Sequence, residues 1–204
     1  MPFLKEIIVK KNIRILIWKI DEKLSELKAS FLLSKDQKRE LDRRKPISNK
    51  KQYLASRKLI KMAQLNDLNN TFYESLSLDK NICYSISHTA KYAVLALGSQ
   101  RIGVDIEFLH PKILNIKSKF INTKEKSFIN SNNIKLITRL WTCKEAIYKC
   151  IIKNKLSFKK HIVLEKFDMQ AKFGLGKVYL KGKIIPINLH FSNFENHYLT
   201  LSHL

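Results

Sequence analysis

From Ile13 to Ile20 the chain is almost continuously apolar and rich in isoleucine around Trp18, which predicts a buried strand. Residues 21–45 are charged with a helical pattern, which breaks ahead of Pro46 because proline disfavours α conformation in the residue before it. Ser48 is placed to cap a helix running to about Asn66, with Tyr53, Leu54, Leu59, Ile60 and Ala63 on its apolar stripe. A polar loop follows near Asn69-Asn70, and then short strands at 83–87, 92–97 and 102–108. The next stretch returns to helical patterning. Asn122 with Glu125 three residues on resembles a capping box, and a long helix is expected from near Asn133 to about Ile152. Strands are expected again at 161–167, 175–180, 184–191 and 197–202, punctuated by Gly174, Gly176 and Gly182. Pro186 points to an edge or a bulge.

This order reads as an α+β protein whose 204 residues make one large domain or two compact halves, 1–101 and 102–204. A faint internal echo favours halves. Leu54-Ala55-Ser56-Arg57-Lys58 and Trp141-Thr142-Cys143-Lys144-Glu145 both sit in the long helix of their half, each followed by strands. The expectation is two similar α/β halves related by a pseudo-twofold, with a cleft between them. Two halves in one chain argue for a monomer.

Composition changes the picture in one respect. Hydrophobic residues make up 45% and charged residues 27%, both ordinary, but 39 Lys+Arg against 17 Asp+Glu give a net +22. Such a balance suits a polyanionic partner: nucleic acid, an anionic membrane, a phosphorylated cofactor or an acidic protein. Compositional bias toward lysine explains part of it equally well. Cys83, Cys143 and Cys150 are odd in number and lack CxxC spacing, so a reducing cytoplasm is expected and a structural zinc site is not. Lys5, Lys10, Lys11 and Arg14 interrupt every early apolar run, so neither a secretory leader nor membrane insertion is expected.

In a chain so poor in acids, Gly103-Val104-Asp105-Ile106-Glu107 stands out. On a strand, Asp105 and Glu107 share one face, roughly 6.6 Å apart, while Val104 and Ile106 point into a core. On the later helix, Trp141, Glu145 and Lys149 form one row at i, i+4 spacing. Three carboxylates and a lysine from two elements suit Mg²⁺ on a diphosphate, since this hard ion takes one or two carboxylates with phosphates and water. Mn²⁺ fits the same ligands. Each piece also has a plainer reading: an acidic strand face, a helical Glu–Lys pair, a capped strand end at Ser85-Ile86-Ser87-His88, and a solvated basic helix face for Lys50, Lys51 and Arg57.

Taken in order, the basic helix, Ser-Ile-Ser-His, Gly-Val-Asp-Ile-Glu and Trp-x-x-Lys-Glu-Ala-x-x-Lys resemble the 4′-phosphopantetheinyl transferase superfamily, specifically its two-halved surfactin-synthetase-activating type. Phe120 followed by Glu125, and Leu156-Ser157-Phe158, are similar too. The resemblance covers about residues 13 to 165. It implies the superfamily's two-halved fold, with the active site in the cleft. It also implies transfer of phosphopantetheine from coenzyme A to a serine of an acidic acyl or peptidyl carrier protein. By the same resemblance Asp105, Glu107 and Glu145 hold the metal, and Glu145 is the base. Lys149 and Lys144 lie at the diphosphate, Ser87 and His88 contact coenzyme A phosphates, and Lys51 and Arg57 face its 3′-phosphate.

Two departures stand against it. Relatives carry Gly-Lys-Pro where this chain has Glu74-Ser75-Leu76, and Gln52 stands where arginine is frequent. A weakened relative that binds a carrier or coenzyme A without transfer is therefore the alternative. Nucleic-acid binding is prompted by charge alone, without any RNP-type, zinc-finger or helix-turn-helix signature, and none is expected.

Overall fold

The computed structural model describes residues 3–30, 32–63, 75–79, 82–129, 132–151 and 156–204. The first sheet contains β1 (Phe3–Lys10), β2 (Ile13–Lys19), β3 (Ser75–Asp79), β4 (Ile82–His88) and β5 (Tyr92–Gly98), in the order β1-β2-β5-β4-β3. Helices α1 (Leu24–Ala29), α2 (Lys35–Arg43) and α3 (Ile47–Met62) separate β2 from β3. The second sheet contains β6 (Ile102–Phe108), β7 (Ile162–Leu164), β8 (Phe173–Leu180), β9 (Lys183–Phe194) and β10 (His197–His203), in the order β6-β10-β9-β8-β7. Between β6 and β7 run a 3-10 turn (Pro111–Asn115), α4 (Lys117–Phe120), α5 (Thr123–Lys126), α6 (Ile134–Ile151) and α7 (Phe158–His161).

The chain is α+β, layered helix, sheet, sheet, helix. Leu16, Trp18, Ala93, Leu95 and Leu97 pack under α1–α3, while Ile13, Ile15, Ile17, Tyr92, Val94 and Ala96 face the second sheet. Burial on both faces is why β2 and β5 read as unbroken apolar runs rather than alternating ones. Across that seam lie Ile102, Val104, Ile106, Leu199 and Leu201 of β6 and β10. The opposite face of the second sheet, with Val178, Ile187, Leu189 and Phe191, packs on Ile137, Leu140, Cys143 and Ile147 of α6. Each sheet follows one scheme: a strand, a helical excursion, then an antiparallel meander whose last strand returns beside the first, β5 on β2 and β10 on β6.

Several expectations shift in detail. The helical run 21–45 divides because Ser34 starts a new helix, its hydroxyl accepting from the Gln37 amide while the Gln37 side chain accepts from the Ser34 amide. Strands β1 and β3, not foreseen, are the two edges of the first sheet. In β1, Lys5, Glu6 and Lys10 break the apolar pattern, as charges commonly do on edges. The expected strand 161–167 shrinks to Ile162–Leu164: α7 takes His161, and the strand ends after Leu164. Pro186 pairs with Lys177 of β8 at a point that β10 does not reach, so its missing N–H faces an open edge. Asn69, Asn70 and Glu74, and the expected helix ends at Asn66 and Ile152, lie outside the described residues. Ser75 and Leu76 open β3.

Candidate active site

On β6, Val104 and Ile106 enter the core between the sheets, and Asp105 and Glu107 emerge on the face turned to α6. The helix lies unusually close. A Cβ built on Gly103 would stand 2.0 Å from the Ala146 carbonyl oxygen and 2.6 Å from the Cys150 amide nitrogen, so only glycine admits this approach. Two polar contacts hold α6 in register on β10: the Thr142 and Thr200 hydroxyls lie 2.9 Å apart, and Ser202 donates to the Ala146 carbonyl at 2.8 Å. The row Trp141, Glu145, Lys149 is thereby aligned along the two β6 carboxylates.

Asp105 is 4% exposed, and its two oxygens differ. Oδ1 accepts from the Ser87 hydroxyl at 2.9 Å and from Lys149 Nζ at 3.0 Å. Oδ2 is buried without a hydrogen-bond partner. Lys149 Nζ also donates to the Ile86 carbonyl at 3.3 Å, so it touches both halves. Glu107 accepts from the Trp141 indole N–H at 3.0 Å, and the indole is flanked by Phe120 and Phe158 at ring distances of 5.0 and 5.5 Å. Burial, reinforced by the neighbouring Asp105, pushes the Glu107 carboxyl up to about 7, while the Trp141 hydrogen bond and Lys149 pull the other way. Glu145 is half-buried in the row between Trp141 and Lys149.

Strand β4 completes the wall. β6 is an edge strand, and its Val104 and Ile106 amides are taken up by the Ser85 and Ser87 hydroxyls at 2.9 and 3.3 Å. His88 ends β4 with an exposed edge. Desolvation, and after it the nearby Lys149 ammonium, hold its imidazole below the ordinary histidine range. Arg44 lies close enough to lower it further. Arg44 and Arg57 both stack on the Tyr53 ring, at 4.7 and 4.9 Å, giving the first half a cationic flank. Lys51, six residues before Arg57, projects from another side of α3, about a third of a turn away.

Lys144 is a correction. It was expected beside the diphosphate, yet its side chain is wholly buried in the second half. Nζ pairs with Glu125 at 2.8 Å and donates to the carbonyls of Phe120, Phe158 and Ile162 at 2.7, 3.1 and 3.0 Å. Position 144 alternates away from the Trp141–Glu145–Lys149 row, so Lys144 serves the core. Glu125, read as a capping residue, does make the capping box with Asn122, and it also receives the Leu164 amide at 2.9 Å.

A buried carboxylate oxygen without a donor, next to a second carboxylate, suits a hard, oxygen-seeking dication. Among the described residues no three His, Cys, Asp or Glu side chains converge as a metal cluster. Sequence reasoning missed Arg44 and Ser85. Arg44 reaches the site only because the corner between α2 and α3 folds onto Tyr53, which no local pattern records. Ser85 carried a usable signal: two serines on one face of a buried strand need polar partners.

The model of the 4′-phosphopantetheinyl transferase superfamily matches residues 101–201. That range includes Asp105, Glu107, Lys144, Glu145 and Lys149, whereas Lys51, Arg57, Ser87 and His88 precede it. A curated relative, the 4′-phosphopantetheinyl transferase gsp of Aneurinibacillus migulanus, is 24% identical over 117 residues, covering 55% of this chain. The match spans 47% of that relative's length. Among the described residues no helix is long and apolar enough to cross a membrane.

Proposed function

The chain belongs to the 4′-phosphopantetheinyl transferase superfamily, and we propose that it moves the 4′-phosphopantetheine group of coenzyme A onto a serine of an acidic acyl or peptidyl carrier protein. The observation that carries this reading is Asp105, with Oδ1 held by Ser87 and Lys149 and Oδ2 buried without a partner beside Glu107. In the transfer, the carrier serine Oγ bonds to the phosphorus attached to pantetheine. The bond from that phosphorus to the bridging oxygen breaks, and adenosine 3′,5′-bisphosphate leaves.

Asp105 and Glu107 hold Mg²⁺, or Mn²⁺ in its place, with Glu145 as the third carboxylate. When bound, the ion supplies positive charge to the diphosphate as the leaving phosphate forms. Glu145 takes the serine proton, directly or through water. Lys149 compensates charge on the diphosphate, and His88 donates to a phosphate oxygen. Arg57 with Lys51, joined by Arg44, faces the 3′-phosphate. The nucleophile belongs to the carrier, so alignment and charge compensation are the protein's own work. The net charge of +22 draws in both acidic substrates. The halves 1–101 and 102–204 form the two walls of the cleft in a cytoplasmic monomer.

Intact-mass analysis of a panel of apo-carriers, incubated with coenzyme A and Mg²⁺, tests the reading. A gain of one phosphopantetheine on any member supports it, and no gain on any member overturns it. Carrier binding without mass gain is the mark of the second reading, a weakened relative. Glu74-Ser75-Leu76 in place of Gly-Lys-Pro favours that reading.

A further inference from the structure

The Ser87 hydroxyl is buried at the seam between the halves, and its capacity is nearly exhausted there. A serine hydroxyl has one proton to donate and two lone pairs to offer. The Ser87 proton goes to Asp105 Oδ1 at 2.9 Å, and one lone pair receives the Ile106 amide at 3.3 Å. A phosphate oxygen asks for a donor, and this proton is already engaged. The phosphate contact that the resemblance implied for Ser87 therefore has no proton left to make it.

The geometry points to a different part for this side chain. An aspartate χ2 is a broad torsion, so an untethered carboxylate swings its plane, and the direction of its oxygens, through a wide arc. In Asp105 that swing is stopped by two donors on the same oxygen: Ser87 from the first half and Lys149 from α6. A half-turn only exchanges two equivalent oxygens, but any smaller rotation stretches both bonds, so the direction in which the free oxygen points is fixed. We propose that Ser87 is a positioning residue, whose hydroxyl reaches across the seam to fix Asp105 with Oδ2 presented to the divalent cation. This inference rests on the functional reading above only in that the carboxylates receive a cation.

Ser85 supplies a matched control from the same strand. Its hydroxyl accepts from the Val104 amide at 2.9 Å, closing the seam as Ser87 does one step further on, but it makes no bond to the carboxylate. Removing either serine orphans one β6 amide. Removing Ser87 also takes one of the two donors from Asp105 Oδ1. Outer-shell partners of this kind commonly change metal affinity by about 10- to 100-fold.

The test is direct Mn²⁺ binding to the full chain, by electron paramagnetic resonance titration with and without coenzyme A and with no carrier present. Ser87→Ala is expected to weaken Mn²⁺ binding by about tenfold or more, Ser87→Thr to stay near wild type, and Ser85→Ala to lose stability without losing Mn²⁺ affinity. Should Ser87→Ala not fold, Ser87→Cys keeps the volume with a weaker donor; an affinity loss there supports the proposal, and unchanged affinity overturns it. Metal-free coenzyme A affinity should be the same in wild type and Ser87→Ala. The proposal is overturned by equal Mn²⁺ losses in Ser85→Ala and Ser87→Ala. It is equally overturned if Ser87→Ala loses coenzyme A affinity with Mn²⁺ binding intact, or if wild type binds no Mn²⁺ at all. Mn²⁺ binding that depends on Ser87, in a protein that modifies no carrier, upholds the positioning role while removing the transfer reading.

Discussion

Trp141 and Glu107 are joined by a 3.0 Å hydrogen bond from the indole N–H to Oε1, and this bond ties α6 to β6 at the less buried of the two strand carboxylates. The indole cannot swing away, because Phe120 and Phe158 flank it. Its donor favours the charged form of a carboxyl that burial and Asp105 push the other way.

Trp141→Phe keeps most of the ring packing and deletes that donor. The Glu107 carboxyl then rises above its present value of about 7. Metal ligands must be deprotonated, so the pH at which Mn²⁺ or Mg²⁺ binding reaches half its plateau should move upward in the variant. A metal titration repeated between pH 6 and 8.5 (roughly the span that brackets such a group) reads the shift. An unchanged midpoint would show that Glu107 is not a ligand.

The same group makes metal-free stability depend on pH in a defined direction. Its folded-state pKa lies above the unfolded value, so the native state binds the proton more tightly. Stability from this source is complete below the unfolded carboxylate pKa and is lost as pH rises through about 7. Urea denaturation with chelator present should show wild type losing more stability than Glu107→Gln across that window. Parallel pH curves for the two proteins would contradict the assignment.

Asp105→Ala and Glu145→Ala should each lower the transfer rate by about two orders of magnitude or more, since the first removes a ligand of the cation and the second the base for the serine proton. They should differ in stability. Asp105→Ala takes the carboxylate from a Lys149 ammonium that is 5% exposed, a loss of about 3–5 kcal/mol for a buried pair. Glu145 is half-buried, and its removal should cost less. Activity assays on folded protein, paired with thermal melts, separate the two effects. Full activity in either variant removes that residue from the site.

Lys144→Met should fail as a folding variant rather than a coenzyme variant. The change leaves Glu125 as a buried charge that has lost its ammonium, again about 3–5 kcal/mol. Lys144→Met with Glu125→Leu should recover part of that loss, though the Asn122 and Leu164 amides that Glu125 now receives limit the gain. A stable Lys144→Met protein with weakened coenzyme A binding would return Lys144 to the coenzyme site.

The α6 row and the acidic strand were legible because both follow the local periods of their elements. Asp105 and Glu107 share a face at period two, and Trp141, Glu145 and Lys149 share one at i, i+4. Lys144 shows where that reasoning runs out. Its neighbour in sequence lies on the site, but one residue of helix is about 100° of rotation, and the adjacent side chain enters the core. The seam was hidden for another reason: Ser85 and Ser87 bond to residues 19 positions away, a pairing set by the docking of two sheets. Strands β1 and β3 escaped notice because an edge strand needs no continuous apolar face.

Gly103 has one more consequence. Where it passes Ala146, strand and helix meet main chain to main chain, with no side chain serving as padding. Interleaved side chains can trade rotamers and let two elements slide. Two backbones in contact have no such slack, so the gap between the acidic strand and the helix carrying Glu145 and Lys149 is as hard as the peptide units that set it. Evolution can enlarge or recolour almost any wall of this cleft through side chains. The spacing of β6 from α6 is fixed by an atom that is not there.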